Sequence, residues 1–215
     1  MSTEGADALS RGGDPGEGGV YFRLRNGLRV RVRRATPADR PAVLEFLGHV
    51  CRESLELRFF SAMNPETVAA EILAEPPNPD RVSVVLETVD PPTPRILGHA
   101  EYVRFPADRT RAEVAFLIAD DVHGHGAATI LLRQLAHHAR AAGIRRFSAV
   151  VLNENQAMRD VFMNAGFPYT ILFERAEALV ELDIREESHT SLAVIDRGSH
   201  TGKGGSSDGP SSHEA

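Results

Sequence analysis

From Leu28 to Arg34 ("LRVRVRR") apolar residues alternate with arginine, the period-two pattern of a half-buried strand. The period then lengthens. Val43, Phe46, Leu47 and Val50 recur at helical spacing, with Thr36 placed to cap the helix and Pro37 suited to its first turn. "SLELRFFSAM" and "PETVAAEIL" continue as a second helical region, with a break near Asn64 and Pro65. Three strands follow over 82–89, 96–105 and 112–119. Their links, "DPPTPR" and "PADRTR", are too short for crossovers and predict antiparallel hairpins.

The stretch "LIADDVHGHGAATILLRQL" ends the fourth strand and begins a long helix. Ala128, Leu131, Leu132, Leu135, Ala139 and Ala142 fall on one face of that helix, and Gly143 closes it. Phe147 to Leu152 is a continuous apolar run, a buried strand. A helix separates it from the strand before, so the two should run parallel. Met158, Val161, Phe162 and Ala165 mark a further helix closed by Gly166, and Tyr169–Phe173 and Ala178–Ile184 finish as strands. The order β-α-α-β-β-β-α-β-α-β-β predicts an α+β fold, with a mixed, mostly antiparallel sheet and one clear β-α-β crossover.

Both ends lack this patterning. Residues 1–20 and 186–215 are rich in small and charged residues with little to bury, and read as disordered tails around one domain over 21–185. The net charge of −6 sits there. The first tail holds four acids and one base, the second five acids and two bases, so each carries −3 and the middle is near neutral. A near-neutral domain lacks the basic footprint of a nucleic-acid binder. No run approaches the roughly 18 apolar residues of a membrane span, and the N-terminus has no secretory apolar core. Cys51 is the sole cysteine, so a reducing, cytoplasmic setting is expected, with Cys51 read as a small core residue. His137 and His138, adjacent on a helix, face different directions and do not make a metal pair; no metal is expected.

The glycine turn is the chemical question. A helix N-terminus offers unpaired N–H groups and the positive end of the helix dipole, and glycines let an anion approach the backbone closely. The plainer reading is a tight strand-to-helix turn needing positive φ, and the turn alone does not separate the two. A dinucleotide fold fits poorly. Thr129 stands where its third glycine belongs, and hairpins rather than crossovers precede the turn.

His123-Gly124-His125-Gly126-Ala127-Ala128 lies where a Gln/Arg-x-x-Gly-x-Gly/Ala loop would, with His in the first place. Asn155 is followed eleven residues later by Gly166-Phe167. With the element order above, these features resemble the GNAT superfamily of acyl-CoA-dependent N-acetyltransferases over about residues 24–185. "RVRRATPADRPAVLEFLGHVCRESLELRFFSAM" and "AEVAFLIADDVHGHGAATILLRQL" are similar to bacterial protein lysine acetyltransferases of the Pat type. Some of those carry a cyclic-nucleotide-binding or acyl-CoA-synthetase-like module, for which 215 residues leave no room.

The resemblance implies helices on both faces of the sheet and a splay between the fourth and fifth strands that admits acetyl-CoA as co-substrate. It places the diphosphate on the backbone of His123, Gly124, His125, Gly126, Ala127, Ala128 and Thr129. It pairs the pantetheine arm with Phe116, Leu117 and Ile118, and brings Asn155 to that arm, although Asn155 reads equally well as a helix cap. It makes Glu113 the general base. A lysine ammonium of pKa ~10.4 must lose a proton before attacking a thioester. Burial in an apolar strand would raise that carboxyl's pKa; Glu101, on the neighbouring strand, is the rival. Many family members carry a Tyr seven residues after the Asn; here Phe162 stands there, as in Pat-type members.

These features predict acetyl-CoA-dependent acetylation of a protein lysine, without nucleic-acid or membrane partners. Acetylation of a small amine is the alternative. The altered loop and missing Tyr keep a third reading open, a non-catalytic acyl-CoA sensor.

Overall fold

The computed structural model describes residues 19–59, 64–73, 78–90, 94–185 and 193–196. Its strands are β1 (Val20–Arg23), β2 (Arg29–Arg34), β3 (Arg81–Thr88), β4 (Ile96–Arg104), β5 (Arg111–Ile118), β6 (Arg146–Leu152), β7 (Tyr169–Glu174), β8 (Glu177–Asp183) and β9 (Ala193–Asp196). Its α-helices are α1 (Arg40–Leu47), α2 (Arg52–Phe59), α3 (Pro65–Ile72), α4 (Ala127–Ala141) and α5 (Gln156–Met163). The described strands form one sheet in the order β1-β2-β3-β4-β5-β6-β8-β7-β9. The two hairpins joining β3, β4 and β5 are antiparallel as their short links require. β6 runs parallel to β5, because α4 carries the chain back across the sheet.

Alternation in β2 does what its period predicts. Val30 and Val32 are buried, while Arg31 and Arg33 turn to the other face and meet Glu87. Thr36 sits at the start of a short 3-10 turn, where its backbone N–H donates to Asp39 Oδ2 at 2.7 Å. Asn64 caps α3 through Glu66 N, with Pro65 as its first residue, so the helical region breaks where the sequence places the break.

Register shows which helix covers which face. Opposed residues share a face, so Gly98, Ala100, Phe116 and Ile118 lie together. A β-carbon on Gly98 would come within 3.2 Å of Leu131 Cδ1, so glycine there lets α4 seat closely. Phe116 meets Phe162 of α5 edge-on at 5.9 Å, placing α5 on the same face. On the other face, Ser83 Oγ donates to Ile72 O at 3.0 Å and Arg81 Nη2 to Glu71 O at 2.6 Å, which fixes α3 there. The α+β architecture with helices on both faces is therefore the one expected.

Three elements differ from the expectation. β1 adds a strand before β2, pairing Val20 with Val32. β8 inserts between β6 and β7, so the last two strands are not in chain order across the sheet. β9 pairs in parallel with β7 inside the stretch assigned to the second tail; "AVID" is its one compact apolar run. The rest of both assigned tails, 1–18, 186–192 and 197–215 apart from Gly19, Val20 and β9, lies outside the described residues.

Candidate active site

β5 and β6 pair at only three positions: Arg111 with Arg146, Ala112 with Phe147, and Glu113 with Ser148. Beyond Glu113 the strands part, while β5 stays paired to β4 as far as Ile118. The gap opens into a cleft between the sheet, α4 and α5, part of a continuous space of about 2120 Å³ that also reaches β2, the start of α2 and the C-terminal half of α4. Phe116, Leu117 and Ile118 line it, each buried, along with Glu113 at its closed end. A cleft that joins an unpaired strand edge to a helix start suits a long ligand with an extended arm and an anionic end.

The helix start is the N-terminus of α4. Gly126 is its N-cap with φ 93°, and Gly124 has φ 75°. Both conformations disfavour a β-carbon for backbone reasons alone, since one added at either position would meet no atom within 4 Å. Ile130 N closes the first turn on Gly126 O at 3.1 Å. The amides of Ala127, Ala128 and Thr129 precede any intrahelical acceptor, and their residues line the cleft. No acid stands in this first turn to compete with an anion. His125 is not a lining residue; its carbonyl accepts from Arg25 N at 3.1 Å.

Glu113 is exposed, so the expected desolvation of its carboxyl is absent. Its face of the sheet carries no helix at that point, and Val103, opposite it, is 44% exposed. Among the described residues Glu113 makes no side-chain hydrogen bond or ion pair. The rival differs in each respect. Glu101 is buried, and its carboxylate accepts from Arg81 Nη2 at 2.8 Å and Nε at 3.0 Å.

His123 folds back: its Nε2 lies 3.1 Å from Ile118 O, so that carbonyl already has a partner. Asp120 ties the same loop to the start of α2, accepting from Cys51 N at 2.7 Å and Ser54 Oγ at 3.2 Å. Cys51 is exposed beside the cleft, not in the core; it precedes α2 where the chain turns at the surface. Asn155 caps α5, its Oδ1 accepting from Met158 N at 3.0 Å, and also lines the cleft. The cap role is thus observed, and the amide nitrogen remains to donate. Phe162 is buried against Phe116, as its place on an apolar helix face implies.

Sequence reasoning missed Arg25. It sits in the turn between β1 and β2, lines the cleft, and reaches Gly124 O through Nη1 at 3.4 Å. Nothing local signals this, because the contact joins segments 99 residues apart.

A split strand pair, a glycine-turned helix start and an unpartnered carboxylate at the last rung together can hold a long anionic thioester beside a proton acceptor. The family comparison agrees: the model of the acetyltransferase (GNAT) domain matches residues 29–168. The chain is 32% identical over 148 residues to Acetyltransferase Pat of Mycolicibacterium smegmatis, covering 68% of this chain and 44% of that protein. The GNAT domain of S. lividans PAT superposes with TM-score 0.68 at 32% identity, over 77% of this chain and 96% of that one. At 18% identity, yncA of Salmonella typhimurium, solved with its cofactor acetyl-CoA, shares the fold with TM-score 0.53 over 74% of this chain and 95% of its own. The chain belongs to the GNAT acetyltransferase family. It spans less than half the length of the mycobacterial Pat it matches.

Proposed function

We propose that this protein acetylates lysine side chains of other proteins, with Glu113 as general base. The observation that carries the reading is the position of Glu113. It stands at the last paired rung before the splay, unpartnered and exposed, on the face opposite α4 and α5. Phe116 and Ile118 turn their side chains to the helix face. A donor entering from the helix face therefore meets an acceptor arriving from the open face at this rung.

Acetyl-CoA supplies a thioester-activated acetyl group. The Glu113 carboxylate takes a proton from the incoming ammonium, and the freed amine attacks the acyl carbon. The acyl bond passes from sulfur to nitrogen, the thiolate leaves, and the nitrogen gives up its second proton to solvent at the open face. Phe162 has no proton to give it, and a thiol of pKa ~8.5 leaves without one. The glycine loop and the first amides of α4 hold the diphosphate. Phe116 and Leu117 pair with the pantetheine arm, and an arm that also bonds Ile118 O displaces the His123 imidazole. Asn155 donates its amide to the arm while its oxygen caps α5. The open face supports a protein acceptor over a small amine: Val103, Val150 and Leu179 lie on it, exposed, around Glu113. A sole cysteine fits a reducing, cytoplasmic setting.

Acetyl-CoA turnover with protein acceptors, and separately with polyamines, amino acids and aminoglycosides, tests this. Turnover with protein lysines supports the reading; turnover confined to small amines removes it.

A further inference from the structure

We infer that Arg25 is a phosphate-binding residue of the acetyl-CoA site, delivered to the glycine loop by the β1–β2 hairpin and directed at the cofactor's diphosphate. The inference rests on the reading of that loop as the diphosphate cradle. The hairpin turn is firmly built. Leu24 is buried, Leu24 N donates to Leu28 O at 2.9 Å, Gly27 N to Leu24 O at 2.9 Å, and Leu28 N to Asn26 Oδ1 at 3.1 Å. The turn is docked on the loop through main chain, Arg25 N to His125 O. The guanidinium is therefore held at the rim of the loop whatever its own rotamer.

Charge singles it out. The loop's two acids already have partners: Asp120 has Cys51, Ser54 and, at 3.7 Å, the His123 imidazole, and Asp121 has Arg95 at 2.5 Å. His123 is turned toward Ile118 O. Arg25 is exposed, and among the described residues it has no carboxylate partner; its one side-chain contact is the long one to Gly124 O. Arginine keeps its charge at every working pH and matches phosphate oxygens with a planar fork of donors. A cation from the hairpin thus stands where the motif's usual Gln or Arg side chain is absent.

Calorimetry on the full chain tests this, with coenzyme A and dephospho-coenzyme A as probes. Arg25→Ala keeps the main-chain dock, so its unfolding midpoint should match the parent. Its Kd for coenzyme A should rise about tenfold at low salt, with a smaller rise at high salt, and Arg25→Lys should recover part of the loss. The loss should persist with dephospho-coenzyme A, which keeps the diphosphate and lacks the 3′-phosphate. Equal affinity of Arg25→Ala and parent for coenzyme A would overturn the inference. A loss that vanishes with dephospho-coenzyme A would overturn the diphosphate assignment and move the contact to the 3′-phosphate. If the parent itself fails to bind coenzyme A, the reading of the loop falls, and this inference with it.

Discussion

Glu113 and Ser148 form the last rung between β5 and β6, and the cleft opens beyond it. Ser148 is buried and accepts from Arg111 Nη2 at 3.1 Å, so the rung is pinned on its β6 side. Glu113 is left without a partner among the described residues. Replacing it with Gln should keep acetyl-CoA affinity and lower the rate about 10²- to 10⁴-fold. The loss should shrink at high pH, where more acceptor amine is already neutral. Steady-state rates against pH check this. A normal rate in Glu113→Gln with a dead Glu101→Gln would reverse the assignment, although Glu101→Gln should chiefly destabilise, since it breaks a buried ion pair with Arg81.

Gly126 separates backbone strain from ligand binding. Gly126→Ala places a β-carbon at φ 93°, which costs roughly 1–2 kcal/mol of stability, and no neighbour lies within 4 Å to add a clash. Gly126→Asp adds a negative charge at the diphosphate's place and should weaken acetyl-CoA binding by more than about tenfold. Chemical unfolding and calorimetry read the two effects independently.

His138 gives a pH signature. Burial first, then the charges of Arg34 and His137, together lower its pKa to about 4. The unfolded chain then binds the extra proton between about pH 6.5 and 4. The stability from a neutral His138 is full above about pH 6.5 and is lost as pH falls toward 4. The difference should be on the order of 2 kcal/mol once partial exposure is discounted. Urea unfolding at pH 7 and pH 4.5 should show a smaller drop for His138→Gln than for the parent.

The legible parts of the fold were local. Hairpin links, the Asn64–Pro65 break, the α4 face and the parallel β6 all follow from spacing within a few turns of chain. The insertion of β8 between β6 and β7 does not, because strand adjacency is decided by long-range packing. β1 and β9 are four residues each, too short for a period to show. At the site, the glycine loop was readable because positive φ and a helix start leave a mark in residue type. The exposure of Glu113 was not: apolar neighbours along β5 suggest burial, yet cover on its face, complete at Leu117, is gone at the Glu113–Val103 rung. Arg25 was invisible for the same reason as β8.

Lys203 is the only lysine among 24 Lys and Arg residues, and it lies outside the described residues. Arginine is not an acyl acceptor at neutral pH. Incubation with acetyl-CoA should therefore add at most two stable N-acetyl groups, on Lys203 and the α-amino group. Intact mass reads the count. A third stable addition mapped within 24–185 would mean that a hydroxyl, thiol or other side chain accepts the acetyl group.

The most direct test of the central claim is mass spectrometry of a heat-treated cell lysate incubated with the protein and isotope-labelled acetyl-CoA, run beside Glu113→Gln. Labelled lysines on lysate proteins with the parent, falling to background with the variant, are the predicted result. Label confined to small amines, or equal protein labelling by both, would contradict it.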